Sequence, residues 1–440
     1  MNYKFAALAG RENRSRHVKA KLWREGMVKI CRTALIGIGG FGAEHVKVMQ
    51  KLVEEGSLQV AAFAEPNVGA HQESYDKLTA LGAVHYMDYV QMLTLHPDID
   101  FVVIVTPISS HKPMCIQVMR MGFHVLVEKP PAVTIQDLDE MIAVQLETGR
   151  LCQVNFQNTS GQAFRTLLER IGSGVLGQVE HVVGIGMWKR FRSYYERTRW
   201  AGKLVSDGQC VLDGTFNNPF AHLLHHSLLA AGGGAADLNP ESVQAELYHV
   251  NDIEGDDVSC IRAVMANGVS VHFYAMLCHE VSEVPSIAVY GTLGEAHWNY
   301  QNKLTIRAQD AEEDLAFGPT DLMCSMYLNL MEAIETPGKP LFSPLKASRS
   351  FVLVSNGAYE SARAVRAIPG RFVTEREDGD STVRLLPSLS EKMRDAAAKR
   401  QLYSEYPLPW ATPTQLFRME GYSRFELPAN MHTNNGRPTN

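Results

Sequence analysis

The 440-residue sequence lacks several features that would point to particular classes of protein. Its seven cysteines are odd in number and include no Cys-x-x-Cys pair, which favours free thiols in the reducing cytoplasm over disulfides or a zinc knuckle. No apolar run reaches about 18 residues, the length needed to span a bilayer, so we expect no membrane association. The net charge of −6 argues against a nucleic-acid-binding surface.

The chain divides by composition and pattern into four parts. Residues 1–29 carry eight Lys and Arg against two Glu, a charge of 8 − 2 = +6. They are predicted to be a disordered basic extension, although a transit peptide or a true start at Met27 would also fit. Residues 30–157 and 158–375 are predicted to form two domains. Residues 376–440 form a charged, then Pro- and Asn-rich tail, predicted to be partly wrapped onto the protein and partly disordered.

Residues 30–157 show strand and helix patterns in alternation. The strand candidates are nearly unbroken apolar runs: TALIGI, LQVAAFA, FVVIVT, HVLVE and CQVNF. The helical patterns cover residues 42–54, 69–81, 111–121 and 134–148. Strands separated by helices of this length pair in parallel through right-handed crossovers, and strands this apolar are buried on both faces. The sequence therefore predicts a Rossmann domain, built on a doubly wound parallel sheet.

Residues 158–375 follow a different pattern from about residue 180. Short strands succeed one another with tight turns such as ANG and GTLG, and no helices intervene. Helical patterns follow near 320–335 and 345–366. Because successive strands joined by short turns pair antiparallel, we predict a C-terminal α/β domain with a large open antiparallel sheet.

The first strand-to-helix turn contains a glycine-rich phosphate-binding pattern. In LIGIGGFGAEH, Gly37, Gly39 and Gly42 have the spacing G-x-G-x-x-G. These glycines permit a tight turn, close approach of a pyrophosphate and close packing of the helix, whose first amides bind phosphates. Glu65 ends the second strand 23 residues after Gly42. A carboxylate there binds both ribose hydroxyls and repels a 2′-phosphate, which favours NAD over NADP. The predicted cofactor ligands of this region are Gly37, Ile38, Gly39, Gly40, Phe41 and Glu65.

Further polar residues follow later strands of the same domain. Thr106 and Pro107 end a strand in VIVTPISSH, where His111 is predicted to open the next helix. Glu128 and Lys129 end another strand in HVLVEKPPA. Ligands bind outside the carboxyl ends of the strands in an open parallel sheet, so all five residues are predicted cofactor ligands.

Lys129 stands where a buried strand is forced to stop. Charged residues are costly to bury unless paired, and Pro130 and Pro131 cannot continue a central strand. Beside a positively charged nicotinamide ring, a lysine is suited to proton transfer or to polarising a substrate hydroxyl. A surface Glu–Lys pair is the alternative interpretation. We predict that Lys129 is catalytic and contacts the substrate.

The motifs GIGGFG, VTPISSH and EKPPA, in this order and each at a strand end, resemble those of the glucose-fructose oxidoreductase, inositol dehydrogenase and rhizopine-catabolism (Gfo/Idh/MocA) family. The resemblance covers roughly residues 30–370. It implies hydride transfer between NAD(P) and a hydroxyl carbon of a sugar or polyol. It also implies a homodimer or homotetramer through the antiparallel sheet. The family pattern further implies that Lys129 contacts the nicotinamide ribose, that Gln157 lies near the nicotinamide, and that the Lys129–Pro130 bond is cis.

One segment departs from the family's Asp-x-x-x-His pattern. In CVLDGTFNNPFAHLLHHSLLAAGGG, keeping Asp213 in register places Asn217 where the family has its acid/base histidine. An insertion of about five residues would instead bring His222 to that place. Asn217 or Asn218 is predicted to cap a helix that ends at Gly232.

That helix carries a stripe of histidines. His222, His225 and His226 fall on one face at about 100° per residue, and a polar stripe on an apolar helix is expected to face a cleft. Structural histidines bonded to the backbone are the alternative. No third ligand is evident for zinc, and we predict no metal. His222 is the predicted general base, because the ordinary pKa of histidine is near 6.5; His225 or His226 would replace it if the insertion displaces His222.

The predicted substrate region also includes the aromatic and basic segment MWKRFRSYYERTRWAGKL, in which Trp200 suits stacking on a sugar ring. Covering an oligomer interface is the equal alternative. The predicted catalytic residues are Lys129, His222, Asp213 and Asn217. The predicted substrate ligands are Lys129, Trp200, Asp213, Asn217, His222 and His225.

Three functions are compatible with these residues. The favoured one is an NAD-dependent oxidoreductase acting on the CH–OH group of a carbohydrate, a polyol or a related compound. The second is a glycoside hydrolase that uses NAD transiently, because NNPFAHLLH and YYERTRWAGKL faintly resemble such members of the family. The third is a non-enzymatic NAD(P)-binding regulator, against which the retained Lys129 argues.

Overall fold

The computed structural model describes residues 30–431 apart from residues 236, 310 and 380. The chain forms two compact units. The first unit contains the described residues up to Glu128, Val144–Asn155 and Met323–Leu341. The second unit contains Lys129–Ala143, Phe156–Leu322 and the described residues from Phe342 onward. The predicted disorder of residues 1–29 concerns a segment outside the described residues, as does the end of the predicted tail from residue 432.

The helices lie close to the predicted segments, with informative differences at their ends. In chain order they are α1 (Gly42–Glu54), α2 (Gln72–Ala80), α3 (Tyr89–Leu95), α4 (Ile108–Arg120), α5 (Ile135–Thr148), α6 (Gln162–Gly172), α7 (Arg192–Glu196), α8 (Ala221–Ala231), α9 (Leu322–Glu335), α10 (Arg349–Ala362) and α11 (Leu389–Lys399). The prediction that His111 opens its helix is wrong, because α4 already begins at Ile108. The predicted helix 345–366 is split into the 3₁₀ turn Leu345–Ser348 and α10, and the chain then enters a strand.

The strands also follow the predicted change of pattern along the chain. In chain order they are β1 (Cys31–Ile36), β2 (Leu58–Ala64), β3 (Val84–Tyr86), β4 (Phe101–Ile104), β5 (His124–Val127), β6 (Cys152–Val154), β7 (Val179–Met187), β8 (Val205–Ser206), β9 (Gln209–Cys210), β10 (Pro240–His249), β11 (Val258–Met265), β12 (Ser270–Met276), β13 (Ser286–Gly291), β14 (Gly294–Asn299), β15 (Lys303–Ala308), β16 (Ala311–Ala316), β17 (Val365–Ala367), β18 (Thr374–Asp378), β19 (Ser381–Leu385) and β20 (Phe417–Arg418).

The first unit is built on a six-stranded parallel sheet in the order β3-β2-β1-β4-β5-β6. The strand order reverses between β1 and β4, the point at which such sheets bind ligands beyond their carboxyl ends. A buried apolar core joins the sheet to α1 and to the late helix α9, through residues such as Leu35, Met49 and Leu330. The predicted Rossmann domain is confirmed.

The second unit is built on a ten-stranded sheet with the path β16-β15-β14-β13-β7-β12-β11-β10-β17, and β20 also pairs with β10. All its neighbouring strands are antiparallel except the pairs β7–β12 and β10–β17. Gly184 and Gly186 on β7 allow α8 to lie close, because a Cβ on Gly186 would be 2.6 Å from the ring of Phe220. The predicted large, mainly antiparallel sheet is confirmed.

The opposite face of this sheet is covered by the chain's own C-terminal part. The hairpin β18–β19 and helix α11 lead into residues 400–411, and Leu389, Met393, Tyr403 and Trp410 join one buried cluster with the sheet residues Tyr248 and Tyr274. Residues 386–410 of the predicted tail therefore pack on the sheet. Within the described part of the chain, no helix has both the length and the apolar character needed to cross a membrane.

Candidate active site

The turn after β1 has the backbone geometry that dinucleotide binding requires. Gly37 has φ +88° and Gly40 has φ +53°, values that favour glycine. A Cβ on Gly42 would lie 2.6 Å from the carbonyl oxygen of Gly37, so only glycine lets α1 begin this close to the turn. The first amides of α1 lie next to the turn, where helix N-termini bind phosphate groups. The residues present therefore fit the pyrophosphate of a dinucleotide.

Glu65 lies directly after β2 and is 8% exposed. Its carboxylate accepts the amide hydrogens of Ile38, at 3.2 Å, and of Asn67, at 2.9 Å. Each carboxylate oxygen can accept further hydrogen bonds, so ribose hydroxyls can be bound as well. Glu65 therefore both braces the glycine turn and places a negative charge where the adenosine ribose of a dinucleotide is expected.

The residues after β4 are arranged around a backbone carbonyl. The His111 ring nitrogen Nε2 is 2.9 Å from the carbonyl oxygen of Thr106, and His111 is 1% exposed. Thr106 is half-buried, and Pro107 precedes α4. The geometry therefore gives His111 a part in shaping the turn at Thr106 and Pro107, while its role as a direct cofactor ligand stays a prediction.

Glu128, directly after β5, belongs to a buried polar network in the first unit. His45 on α1 lies with its Nε2 atom 2.8 Å from the Glu128 carboxylate and its Nδ1 atom 2.7 Å from the hydroxyl of Tyr327. Asn155, directly after β6, donates to the same carboxylate oxygen. A carboxylate that is 7% exposed and held in this way fixes the end of β5 at the residue before Lys129.

Lys129 lies in the second unit, and its ammonium group is bound to Asn218 through two atoms. Nζ donates to the carbonyl oxygen of Asn218, at 3.0 Å, and to its side-chain oxygen, at 3.2 Å. The Asn218 amide group donates to Asp213 at 2.9 Å. The Lys129–Pro130 bond is cis, as the family resemblance implies. Lys129, Asn218 and Asp213 thus form one connected polar network.

Asp213 is held by its surroundings as a buried carboxylate. It accepts the amide hydrogen of Gly202 at 2.6 Å in addition to the bond from Asn218. Burial raises the pKa of Asp213, and these two hydrogen bonds together with the charges of Arg197 and Lys129 oppose that rise. A Cβ on Gly255 would lie 1.8 Å from the Asp213 carbonyl, so the loop before β11 packs directly against this backbone.

The three histidines of α8 are buried to different degrees. His222 keeps 9% of its surface exposed, whereas His225 and His226 keep 1% and 0%. The pKa of His222 lies well below its usual value, first because burial disfavours the charged form and then because of the positive charge of Lys129. Burial also holds the pKa of His225 well below its usual value, and there the second contribution comes from His226. Of the two, only His222 responds to Lys129.

His225 and His226 are packed as parts of a core. His225 stacks on Phe156 with ring centroids 3.9 Å apart, and His226 stacks on Trp298 at 5.5 Å. His226 donates from Nδ1 to the carbonyl oxygen of His222. The alternative interpretation of structural histidines bonded to the backbone thus describes His226. No group of three or more His, Cys, Asp or Glu side chains in the described ranges has an arrangement that could hold a metal ion.

The remaining predicted residues are placed as follows. Asn217 is 2% exposed, and its side-chain oxygen accepts the hydroxyl hydrogen of Ser355 at 2.8 Å. Trp200 is half-buried, with the guanidinium group of Arg197 5.3 Å from its ring centroid. Gln157 opens the 3₁₀ turn Gln157–Ser160, and its buried Oε1 atom has no hydrogen-bond partner among the described residues.

The sequence did not identify three residues that hold predicted site residues in place: Asn218, His45 and Asn155. Asn218 was considered only as a helix cap, yet its side chain contacts Lys129 and Asp213. His45 and Asn155 hold Glu128. The position of Asn155, immediately after a parallel strand like Glu128 itself, is the signal that would have identified it.

The comparisons with known proteins bear first on the amino-terminal part of the chain. Residues 31–156 match the model of an oxidoreductase family with an NAD-binding Rossmann fold, GFO_IDH_MocA. This part of the chain is similar to the Gfo/Idh/MocA family. The predicted resemblance and the predicted cofactor class, NAD, are confirmed by this match.

Curated relatives align with a limited part of the chain. The scyllo-inositol 2-dehydrogenase (NAD(+)) of Bacillus subtilis is 29% identical over 147 residues, which are 33% of this chain and 42% of the relative. A glycosyl hydrolase family 109 protein of Saccharopolyspora erythraea is 26% identical over 179 residues, or 39% of this chain and 38% of the relative. The chain therefore matches less than half the length of these curated relatives.

A solved structure covers more of the chain. The WlbA dehydrogenase from Bordetella pertussis, crystallised in complex with NADH and UDP-GlcNAcA, superposes with a TM-score of 0.62 at 22% identity. The superposition covers 76% of this chain and 97% of that protein. At this level of identity the likeness shows a shared fold, which extends beyond the NAD-binding part.

Proposed function

We propose that this protein is an NAD-dependent oxidoreductase that transfers a hydride between the nicotinamide and a hydroxyl carbon of a sugar, a polyol or a related compound. One observation carries the proposal: the lysine that directly follows the NAD-binding strand β5 is held by Asn218 in a network with a buried carboxylate, Asp213. A purely dinucleotide-binding protein has no need of this network. The related dehydrogenases favour the same class of reaction.

The proposed proton chemistry involves Lys129 and His222. When bound, NAD supplies the hydride acceptor. The Lys129 ammonium group donates a hydrogen bond to the substrate oxygen and favours its developing negative charge. His222 accepts the hydroxyl proton, since the lowered pKa of its buried imidazole keeps it neutral at physiological pH.

The proposed substrate contacts differ in their exposure. Lys129 and Trp200 are half-buried and His222 is 9% exposed. Asp213, Asn217 and His225 are 3%, 2% and 1% exposed. We therefore propose direct substrate contacts for Lys129, Trp200 and His222, and contact with a single substrate hydroxyl for Asp213. For Asn217 and His225 the proposed contact requires that the substrate displace neighbouring side chains.

A panel of sugars and polyols tests the proposal directly. Purified protein is incubated with each compound and NAD, and NADH is followed at its absorbance maximum. We expect steady NADH formation with at least one compound, and its loss when Lys129 is replaced. Tight NAD binding without turnover on any compound would favour the regulator function instead.

The glycoside hydrolase alternative has one observation in its favour, the similarity to a glycosyl hydrolase family 109 protein over 39% of this chain. Such an enzyme would oxidise and re-reduce its sugar, so the two candidate functions differ in stoichiometry. Aryl glycosides that release a chromophore, with NAD held below the protein concentration, separate them. Release of many equivalents of aglycone without net NADH would replace the dehydrogenase assignment.

We also propose that the protein acts in the cytoplasm and as a homo-oligomer. All seven cysteines are free and six of them are buried, which suits a reducing compartment. The predicted oligomer contact through the antiparallel sheet has less surface to use than expected, because the C-terminal part covers β7 and β10–β12. A second copy would have to use the rest of that face. Analytical ultracentrifugation measures the oligomeric state.

A further inference from the structure

The side chain of Asn218 connects Lys129 to Asp213. The Lys129 ammonium group donates to both oxygens of Asn218, at 3.0 and 3.2 Å. The Asn218 NH₂ group donates to Asp213 at 2.9 Å, and Asp213 in turn accepts the Gly202 amide. Each donor in this series of hydrogen bonds faces an acceptor. The Asn218 amide therefore has only one orientation that satisfies both Lys129 and Asp213.

We propose that Asn218 is a positioning residue that fixes the Lys129 ammonium group by coupling it to Asp213. The effect of this positioning on catalysis rests on the proposed oxidoreductase function. A lysine side chain has four rotatable bonds and therefore a large rotamer entropy. Two acceptors on one residue, themselves anchored to a buried carboxylate, select one of its conformations before substrate binds.

The helix-capping role considered for this residue does not account for its geometry. α8 begins at Ala221 after Phe220, and no side chain caps it. The Asn218 carbonyl accepts the Ala221 amide at 3.3 Å, whereas its side-chain atoms are engaged with Lys129 and Asp213. A capping role would require neither of these two contacts.

The neighbouring Asn217 shows that the position is specific. Its side-chain oxygen accepts from Ser355 on α10, and it contacts neither Lys129 nor Asp213 through any described hydrogen bond. Only the second asparagine of the Asn217–Asn218 pair is thus placed to hold the lysine. Asp213 and His222 are two titratable groups within the influence of the ammonium, because its charge contributes a lowering of the pKa of each.

Competitive acetylation of the full-length protein tests the inference without any substrate. Trace acetic anhydride is applied across a pH series, and the labelling midpoint of Lys129 is read from its peptide by mass spectrometry. Asn218→Asp places a carboxylate beside the ammonium and should raise the midpoint by about one pH unit. Asn218→Ala removes an acceptor and the link to Asp213 and should lower it by about one unit.

Asn267→Ala is the matched control, because Asn267 is an exposed loop residue whose amide donates to the carbonyl of Ala231. We expect it to leave the Lys129 midpoint unchanged. Circular dichroism and NAD affinity check that each variant is folded. If both Asn218 variants are folded and label Lys129 as the wild type does, Asn218 does not hold the lysine and the inference is wrong.

Kinetics with a turned-over sugar or polyol then address the catalytic meaning. Asn218→Ala should lower kcat by about tenfold with unchanged NAD affinity, since a misplaced donor weakens the transition state more than the ground state. Asn218→Asp should displace the pH–rate profile in the same direction as the labelling midpoint. A wild type without turnover but with the expected labelling shifts would refute the proposed function and leave the positioning of Lys129 intact.

Discussion

At the scale of single residues, the candidate site depends on side chains that serve two purposes at once. Glu65 braces the glycine turn through the amide of Ile38 and carries the charge expected at the ribose. Glu128 closes a buried network with His45 while ending the strand before Lys129. Because such residues serve both cofactor binding and local structure, the informative substitutions keep the shape of the side chain and change its charge.

Glu65→Gln should shift cofactor preference toward NADP. The amide retains an acceptor oxygen for the Ile38 amide, but it removes the charge that repels a 2′-phosphate. We expect the ratio of the NADP to the NAD dissociation constant to fall by about tenfold, corresponding to about 1.4 kcal/mol. Titration calorimetry with both cofactors measures the ratio, which cancels any general loss of affinity. A wild type that already prefers NADP would contradict the role of Glu65.

Lys129→Met should separate binding from chemistry. Methionine keeps much of the apolar stem and lacks the ammonium group that Asn218 holds. We expect NAD affinity to stay within a few-fold and kcat to fall by about 10²–10⁴, the usual contribution of a positioned acid or base. Stopped-flow and steady-state assays on the panel substrate measure the loss. Full activity in the Met variant would show that Lys129 has no catalytic role.

At the scale of elements, the sequence predicted what local patterns determine and failed where long-range contacts decide. α1 has the predicted bounds, because the glycine turn and the apolar stripe specify it locally. The start of α8 was predicted at Asn217 or Asn218 but lies at Ala221. The reason is that the Asn218 side chain contacts Lys129, 89 residues earlier in the chain, and such a pairing has no local signal.

The histidine stripe of α8 shows the same limit of prediction. Spacing placed three histidines on one face but could not show how deeply each is buried. His222 and His225 both contact Phe156, and His226 stacks on Trp298. His222 keeps 9% of its surface exposed, whereas His225 and His226 keep 1% and 0%. This difference in burial depends on contacts with distant residues and has no local signal, and the role of His222 as the base stays a prediction.

Burial of His225 should make the stability of the protein depend on pH. Its native pKa lies well below that of the unfolded chain, near 6.5. As pH falls through 6.5, the unfolded chain gains a proton that the native protein does not bind, so the free energy of unfolding decreases. Between pH 8 and pH 5, the free energy of unfolding of the His225→Leu variant should therefore decrease by about 2 kcal/mol less than that of the wild type.

Urea unfolding at pH 8, 6.5 and 5 measures this effect. His297→Leu, at an exposed position of β14, is the matched control, because it removes the same side chain from the surface of the protein. Equal pH dependence in the His225 variant and the wild type would mean that His225 is protonated in the native state.

At the scale of the whole molecule, the C-terminal part is a structural layer whose extent composition did not reveal. The charged and Pro-rich composition predicted a tail that is partly wrapped and partly disordered, without showing that residues 386–411 contribute a row of buried apolar side chains to the sheet. Arg262 on β11 pairs with Glu405 through two hydrogen bonds, at 3.1 and 2.8 Å, and the Tyr274 hydroxyl donates to the carbonyl of Gln401 at 2.8 Å. The C-terminal part packs on the sheet because its few apolar residues align with an apolar face of the sheet.

This layer should contribute to global stability, and a pair of leucines in the same segment tests it. Leu408 is 6% exposed within the cluster on the sheet, whereas Leu416 is 48% exposed. Leu408→Ala should lower the free energy of unfolding by about 2–4 kcal/mol, through lost burial and the cavity left behind. Leu416→Ala removes the same atoms from a largely hydrated position and should cost about 0.5 kcal/mol or less. Urea titrations of the two variants measure the difference. If both substitutions cost the same small amount, the C-terminal part would be an independent appendage and the outer face of the sheet would be available to a second copy of the chain.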